Sequence, residues 1–147
     1  MRDDDPGGQP SVAISNRQGL PVDERSLAAL ARETLIGEGV MEGELSVSFV
    51  ADPEIEELHE RYLDEPGPTD VLSFPLDEVG PDGARLLGDV VIAPSTARRN
   101  NPDDPSGELR LLLVHGILHL LGYDHEDEAA KAQMWERQAR YSGVRVP

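Results

Sequence analysis

The chain has 147 residues, 38% of them hydrophobic, which is enough to bury one core and gives no sign of a second. Its 29 acidic residues outnumber 13 basic ones, and the formal net charge of -16 opposes long-range capture of a polyanion such as RNA. The lack of cysteine excludes disulfides and cysteine-based zinc sites, and no apolar run approaches the roughly 20 residues of a membrane helix.

The N-terminal segment MRDDDPGGQP lacks the basic and apolar regions of a signal peptide, so we expect a cytoplasmic protein. We predict that residues 1–10 form a disordered extension and that residues 11–147 form a single domain. Within it, residues 12–15 predict a short strand, and an amphipathic helix follows from about Asp23. Residues 45–50 (LSVSFV) alternate apolar and serine residues, which indicates a half-buried strand.

The middle of the chain predicts a helix followed by two strands. Asp52 and the proline after it supply an N-cap and a first-turn proline for a helix that reaches about Tyr62. Residues 71–74 and 89–92 predict strands that could pair antiparallel. The Gly, Pro and Asp residues of the intervening LDEVGPDGARLL segment favour a long mobile connection that could border the active site.

The last third predicts two helices. Ser106 is the predicted N-cap of the first, which carries a histidine motif, and Asp127 starts the second. Together these elements predict an α+β fold, in which helices pack on a small mixed sheet and a metal site lies at the end of a central helix.

The HGILHLLGYDH segment holds three of the four histidines of the chain. His115 and His119 are four residues apart, so on a helix they project from one face, about one turn apart. Gly122 is placed to end that helix in a left-handed conformation, and the turn could bring His125 to the same ion. Three histidine ligands leave one tetrahedral position open, which is typical of catalytic zinc. Imidazole also suits nickel and iron, so these metals stay open.

The same ligand spacing occurs in the zinc-protease signature HExxHxxGxxH, whose second residue is the glutamate that acts as general base. Here that residue is Gly116, which cannot take a proton from water. A standard protease mechanism is therefore disfavoured.

Three segments together resemble the YbeY family of single-strand endoribonucleases: PTDVLSFP (68–75), LGDVVIAP (87–94) and HGILHLLGYDH (115–125). The resemblance runs from about Leu45 to Gln138. It implies a zinc-dependent endoribonuclease in ribosomal RNA maturation and ribosome quality control. It also implies zinc ligands at His115, His119 and His125 and, as partners, single-stranded or ribosomal RNA and the ribosome or its associated factors.

The chain departs from the family pattern in one place. The family often has an arginine directly after the tyrosine that precedes PTDVLSFP, and here Tyr62 is followed by Leu63. Arg61 could replace it only if the helix end rotated, so we interpret Arg61 as a helix-surface residue. We assign no metal role to His59.

Five further residues are candidates for contacts to the metal ligands or the substrate. Glu108 shares the helix face of His115 two turns earlier, although a carboxylate there also suits the first turn of a helix. Asp124 and Asp70 could each contact ligand or substrate, or could fix a turn or a strand entry. Arg98 and Arg99 could line a groove for phosphates or form a solvated helix face.

Three function classes remain open from the sequence. Metal-assisted cleavage of RNA leads, either by water or by attack of the RNA 2'-hydroxyl. A zinc-dependent peptidase-like hydrolase shares the ligand spacing, and a non-catalytic, metal-stabilised ribosome-assembly factor fits the acidic surface and Leu63.

Overall fold

The computed structural model describes residues 9–63, 70–81, 83–123 and 127–144, without the side chains of Leu63 and Asp77. In chain order the elements are β1 (Ser11–Arg17), α1 (Glu24–Gly37), β2 (Glu44–Val50), α2 (Asp52–Leu63), β3 (Val71–Val79), β4 (Arg85–Ile92), α3 (Pro94–Asn100), α4 (Pro105–Leu120) and α5 (Glu128–Ser142). None of the described helices is long and apolar enough to cross a membrane. Of the predicted N-terminal extension, residues 1–8 lie outside the described part.

The four strands form one mixed sheet in the order β1-β2-β4-β3. The first three are parallel, and β3 runs antiparallel to β4 at the edge, which confirms the predicted mixed sheet and the antiparallel pair. Ile14, Val47, Val90 and Ser73 lie opposite one another across the four strands. This row marks the middle of the sheet, on which α4 packs.

The alternation in β2 sorts its side chains between two faces, as predicted. Leu45, Val47 and Phe49 are buried in the main core together with residues of α1 and α4. Val50 belongs to a smaller cluster with Ile55 of α2, on the other side of the sheet. The sheet is therefore covered by α1 and α4 on one face and by α2 on the other, which leaves α4 central.

The prediction of a long mobile connection between β3 and β4 is wrong. Both strands extend into it, and Val79 still pairs with Arg85. A short turn closes the hairpin, in which the Gly80 amide donates to the Ala84 carbonyl over 2.7 Å. Gly80, Pro81 and Gly83 lie between the two strands, whereas the flanking residues pair in the sheet despite an irregularity between Pro75 and Glu78.

Two predicted N-caps are also wrong. Asp52 lies inside α2, since the Ala51 carbonyl accepts the first helical bonds, and the Asp52 carboxylate instead accepts bonds from α3. The N-cap of α4 is Asp104, whose carboxylate accepts the Gly107 amide over 3.0 Å. Ser106 lies within the helix because Pro105 already occupies its first position. The helices α1 and α5 begin at their predicted positions, capped by aspartates.

Candidate metal centre

Helix α4 carries His115 and His119 and is buried on most of its circumference. Its buried hydrophobic residues contact the sheet, α1 and α5: Leu109, Leu112, Leu113, Val114, Ile117, Leu118 and Leu120. The two histidines lie on the remaining side, His115 half-buried and His119 exposed. A helix that is apolar nearly all round is fixed in the core, so its few polar side chains are held in defined positions.

Gly116 lies where the backbone of α4 packs closely against the sheet. A Cβ atom there would lie 2.8 Å from Val90 Cγ1, 3.1 Å from Val71 Cγ2 and 3.3 Å from Ser73 Oγ. The Ser73 hydroxyl also donates to the Gly116 carbonyl over 2.7 Å. A side chain at this position would point into the sheet, so position 116 cannot present a general base to the histidines.

Each histidine uses its Nδ1 atom in a hydrogen bond to an acceptor. His115 Nδ1 lies 2.8 Å from Oε1 of the buried Gln138, and His119 Nδ1 lies 3.0 Å from the Tyr123 carbonyl oxygen. The Tyr123 carbonyl can only accept, so Nδ1 of the neutral His119 ring carries the proton and Nε2 the lone pair, and the Gln138 oxygen favours the same tautomer of His115. The rings are nearly parallel, 18° apart, with centroids separated by 6.4 Å. This is the tautomer required of an Nε2 metal ligand.

The turn after α4 brings the Tyr123 carbonyl to His119. Gly122 has a φ of 107°, and the Tyr123 amide donates back to the Leu118 carbonyl over 3.0 Å. This bond closes a Schellman turn, so the predicted helix end at Gly122 is confirmed. Residues 124–126 follow, and both Asp124 and His125 lie outside the described residues. Among the side chains that are described, no three metal-binding groups converge.

The turn is also held by the carboxylate of Glu38, which the sequence did not indicate as a site residue. Glu38, directly after α1, accepts hydrogen bonds from the hydroxyls of Tyr123 and Tyr141 and from the guanidinium of Arg137. Burial raises the pKa of Glu38, but these three donors outweigh burial and hold it below its ordinary value. Burial and the Glu38 carboxylate raise the pKa of both tyrosines. We call Glu38, Tyr123, Arg137 and Tyr141 the Glu38 cluster.

Residues 13–143 match the family described as Endoribonuclease YbeY. The chain belongs to this family. A YbeY endoribonuclease from Beutenbergia cavernae is 45% identical over 140 residues, covering 88% of this chain and 93% of the relative. One from Acidothermus cellulolyticus is 46% identical over 143 residues, covering 88% and 87%. A solution structure of a Thermotoga maritima protein is 28% identical, with a TM-score of 0.56 over 89% of this chain and 86% of that one.

The predicted YbeY resemblance and the α+β fold are thereby confirmed, and the remaining candidate residues can be placed. Asp70 and Glu108 lie together around Asn100, whose amide donates to Asp70 over 3.2 Å and also hydrogen-bonds Glu108. Burial raises the pKa of Glu108, and the carboxylates of Asp70 and Asp104 raise it further, against the Asn100 bond. Glu108 lies at the start of α4, about 10 Å along the helix from His115 at 1.5 Å per residue. These carboxylates form a separate group from the histidines.

The two arginines of α3 differ in their contacts. Both are exposed and line a groove of about 510 Å³ between α3 and the loop after β1. Arg99 pairs with Asp52 over 2.8 Å, whereas Arg98 makes no ion pair within the described residues. Arg61 pairs with Glu57 one turn earlier in α2, which agrees with its interpretation as a helix-surface residue.

Proposed function

We propose that this chain is a zinc-dependent endoribonuclease that cuts single-stranded RNA in ribosomal RNA maturation and ribosome quality control. The observation that carries the proposal is a histidine pair, in a member of the YbeY family, whose Nδ1 atoms both meet fixed acceptors. RNA cleavage is also the activity in the names of the relatives from Beutenbergia cavernae and Acidothermus cellulolyticus.

His115, His119 and His125 would hold the zinc. The donor set fits, because three neutral imidazoles bind zinc and leave one position open. When bound, zinc supplies a Lewis acid that polarises a phosphate oxygen and lowers the pKa of water. Gln138 and the Tyr123 carbonyl hold the first two rings in orientation and make them more basic by accepting their Nδ1 protons.

The protein must hold RNA despite its acidic surface. The net charge of -16 gives no general attraction for phosphates, so binding depends on local contacts or on RNA presented by a ribosome. Arg98 is the best placed local cation, since it lines the groove beside α3 and makes no ion pair within the described residues. We expect Arg98→Ala to weaken RNA binding and leave zinc affinity unchanged.

Zinc content and RNA cleavage test the proposal together. Purified protein should contain one zinc ion per chain and cut single-stranded RNA, and a chelator should stop both. His115→Ala should lose both properties, whereas the matched control His59→Ala, on α2, should keep them. Zinc-loaded protein that leaves RNA and ribosomal precursors intact, or that digests unstructured peptides instead, would contradict the proposal.

The ends of the fragments separate the two chemical routes. Attack by the 2'-hydroxyl leaves a cyclic phosphate, whereas attack by water leaves a linear one. Mass spectrometry of short RNA products distinguishes them.

A further inference from the structure

We propose that Glu38 is a positioning residue for the zinc ligands and acts through Tyr123, whose backbone carbonyl orients His119. This inference rests on the proposed zinc site. It adds to that site a carboxylate from the end of α1, which is 81 residues away from His119 along the chain.

Glu38 has the surroundings of a structural anchor. Its side chain is only 5% exposed, and a buried carboxylate is unfavourable unless donors compensate for lost water. The Tyr123 and Tyr141 hydroxyls each donate over 2.6 Å, and Arg137 Nη1 donates over 2.9 Å. Such short bonds to an ionised acceptor are stronger than bonds between neutral groups.

Tyr123 connects Glu38 to the metal centre through hydrogen bonds at its two ends. Its hydroxyl is held by Glu38, its amide is held by the Leu118 carbonyl, and its own carbonyl accepts the Nδ1 proton of His119. A Cβ atom at the preceding Gly122 would meet nothing within 4 Å, so packing at the glycine does not hold the turn. The backbone bonds close the turn, and the side chain of Tyr123 is the contact that ties the turn, with the carbonyl beside His119, to Glu38 at the end of α1.

Glu38 also fixes α5 next to the partner of the other histidine. Arg137, which pairs with Glu38, is the neighbour of Gln138, which accepts the His115 Nδ1 proton. The Nδ1 partners of both histidines are thus adjacent to, or part of, the Glu38 cluster.

The chain offers a matched pair of variants. Tyr123 and Tyr141 donate the same kind of bond, over the same distance, to the same carboxylate, but of the two only Tyr123 is bonded to a histidine in the described residues. Loss of an outer contact of a metal ligand typically lowers metal affinity about 10- to 100-fold. We expect Tyr123→Phe to weaken zinc binding about 10-fold, and Tyr141→Phe to change it by about twofold at most.

The test measures zinc affinity by competition with a chromogenic chelator and the free energy of unfolding of each metal-free protein. Both variants should lose similar stability, while only Tyr123→Phe loses zinc affinity. Nitrogen NMR of the metal-free proteins should show the His119 ring protonated at Nδ1 in the wild type and in Tyr141→Phe, and a mixture of tautomers in Tyr123→Phe.

Equal zinc affinities of the two variants, whether both unchanged or both lowered, would overturn the positioning role. A wild type that binds no zinc would instead overturn the proposed function. In that case the His119 tautomer still decides the positioning role, because it is read without metal.

Discussion

Alanine in place of Gly116 would press α4 against the sheet. The added Cβ would lie 2.8 Å from Val90 Cγ1, about 1 Å inside the ordinary carbon–carbon contact of about 3.5–4.0 Å. Val90 is fully buried and β-branched, so it has little freedom to turn away, and the helix or strand must move. Glycine to alanine within a helix gains about 1 kcal/mol, whereas overpacking a core costs about 1–3 kcal/mol. The net loss of unfolding free energy should be about 0–2 kcal/mol.

A double-mutant cycle isolates the steric cost from the helix propensity. Val90→Ala alone should destabilise the protein by about 2–3 kcal/mol, because two buried methyl groups are lost. The same change removes the atom that the new Cβ of Gly116→Ala would contact, so the two substitutions together should cost at least about 1 kcal/mol less than their sum. Urea unfolding of the metal-free wild type, the two single variants and the double variant gives the four unfolding free energies of the cycle.

Additive costs within about 0.5 kcal/mol would refute the reasoning, since they would mean that α4 accepts a side chain at position 116 without displacing Val90. A coupled result has a consequence for function. Glutamate at position 116 would place an unpaired carboxylate against the sheet, so Gly116→Glu should unfold the protein rather than create a peptidase.

Glu38→Gln should lower the unfolding free energy at pH 7. The folded-state pKa of Glu38 lies below its ordinary value of 4.5, so the ionised carboxylate stabilises the folded protein. The difference in unfolding free energy between wild type and variant should therefore shrink as the pH falls through that lower pKa. Asp104→Ala should cost about 1 kcal/mol as the loss of an N-cap, whereas Ser106→Ala should change stability by less than about 0.5 kcal/mol. A chelator should lower the melting temperature of the wild type and leave that of His115→Ala unchanged, and an equal shift in both would contradict metal binding by His115.

Local patterns predicted the elements whose burial follows a regular repeat. The alternation of residues 45–50 appears as a buried face of β2, and the amphipathic helix predicted from about Asp23 buries Leu27, Ala31 and Leu35. These patterns hold because each element covers one layer of the core and needs no partner of particular sequence. The histidine pair belongs to the same class, since its geometry follows from helix spacing alone.

The N-cap and loop predictions failed where the same residue types suit two different local structures. Aspartate before proline suits an N-cap, yet Asp52 turns its carboxylate to Thr96 and Arg99, which are more than 40 positions later. The segment after β3 has residues typical of a long loop, but pairing of β3 with β4 continues to Val79 and Arg85 and leaves only a short hairpin turn. Long-range partners decided both cases, and a single sequence does not display them.

The partners of the histidines were beyond prediction for the same reason. Gln138 is 23 positions from His115, and Glu38 is 85 positions from Tyr123. Their types, an amide and a carboxylate in or beside helices, are those of ordinary surface residues. Only the packing of α1 and α5 against α4 brings them to the site.

The positions of the histidines, Glu108 and Gly116 on α4 bear on the choice of substrate. Glu108, the only carboxylate on this helix, lies about two turns before His115, and Gly116 is turned into the sheet. A peptidase of this ligand spacing takes its general base from the residue after the first histidine, and this helix has none there. The helix therefore disfavours a standard peptidase mechanism, whereas cleavage of RNA remains open to both water and the 2'-hydroxyl as nucleophile. A 2'-deoxy nucleotide at the cleavage position separates these two routes: loss of cleavage indicates attack by the 2'-hydroxyl, and cleavage that persists indicates attack by water.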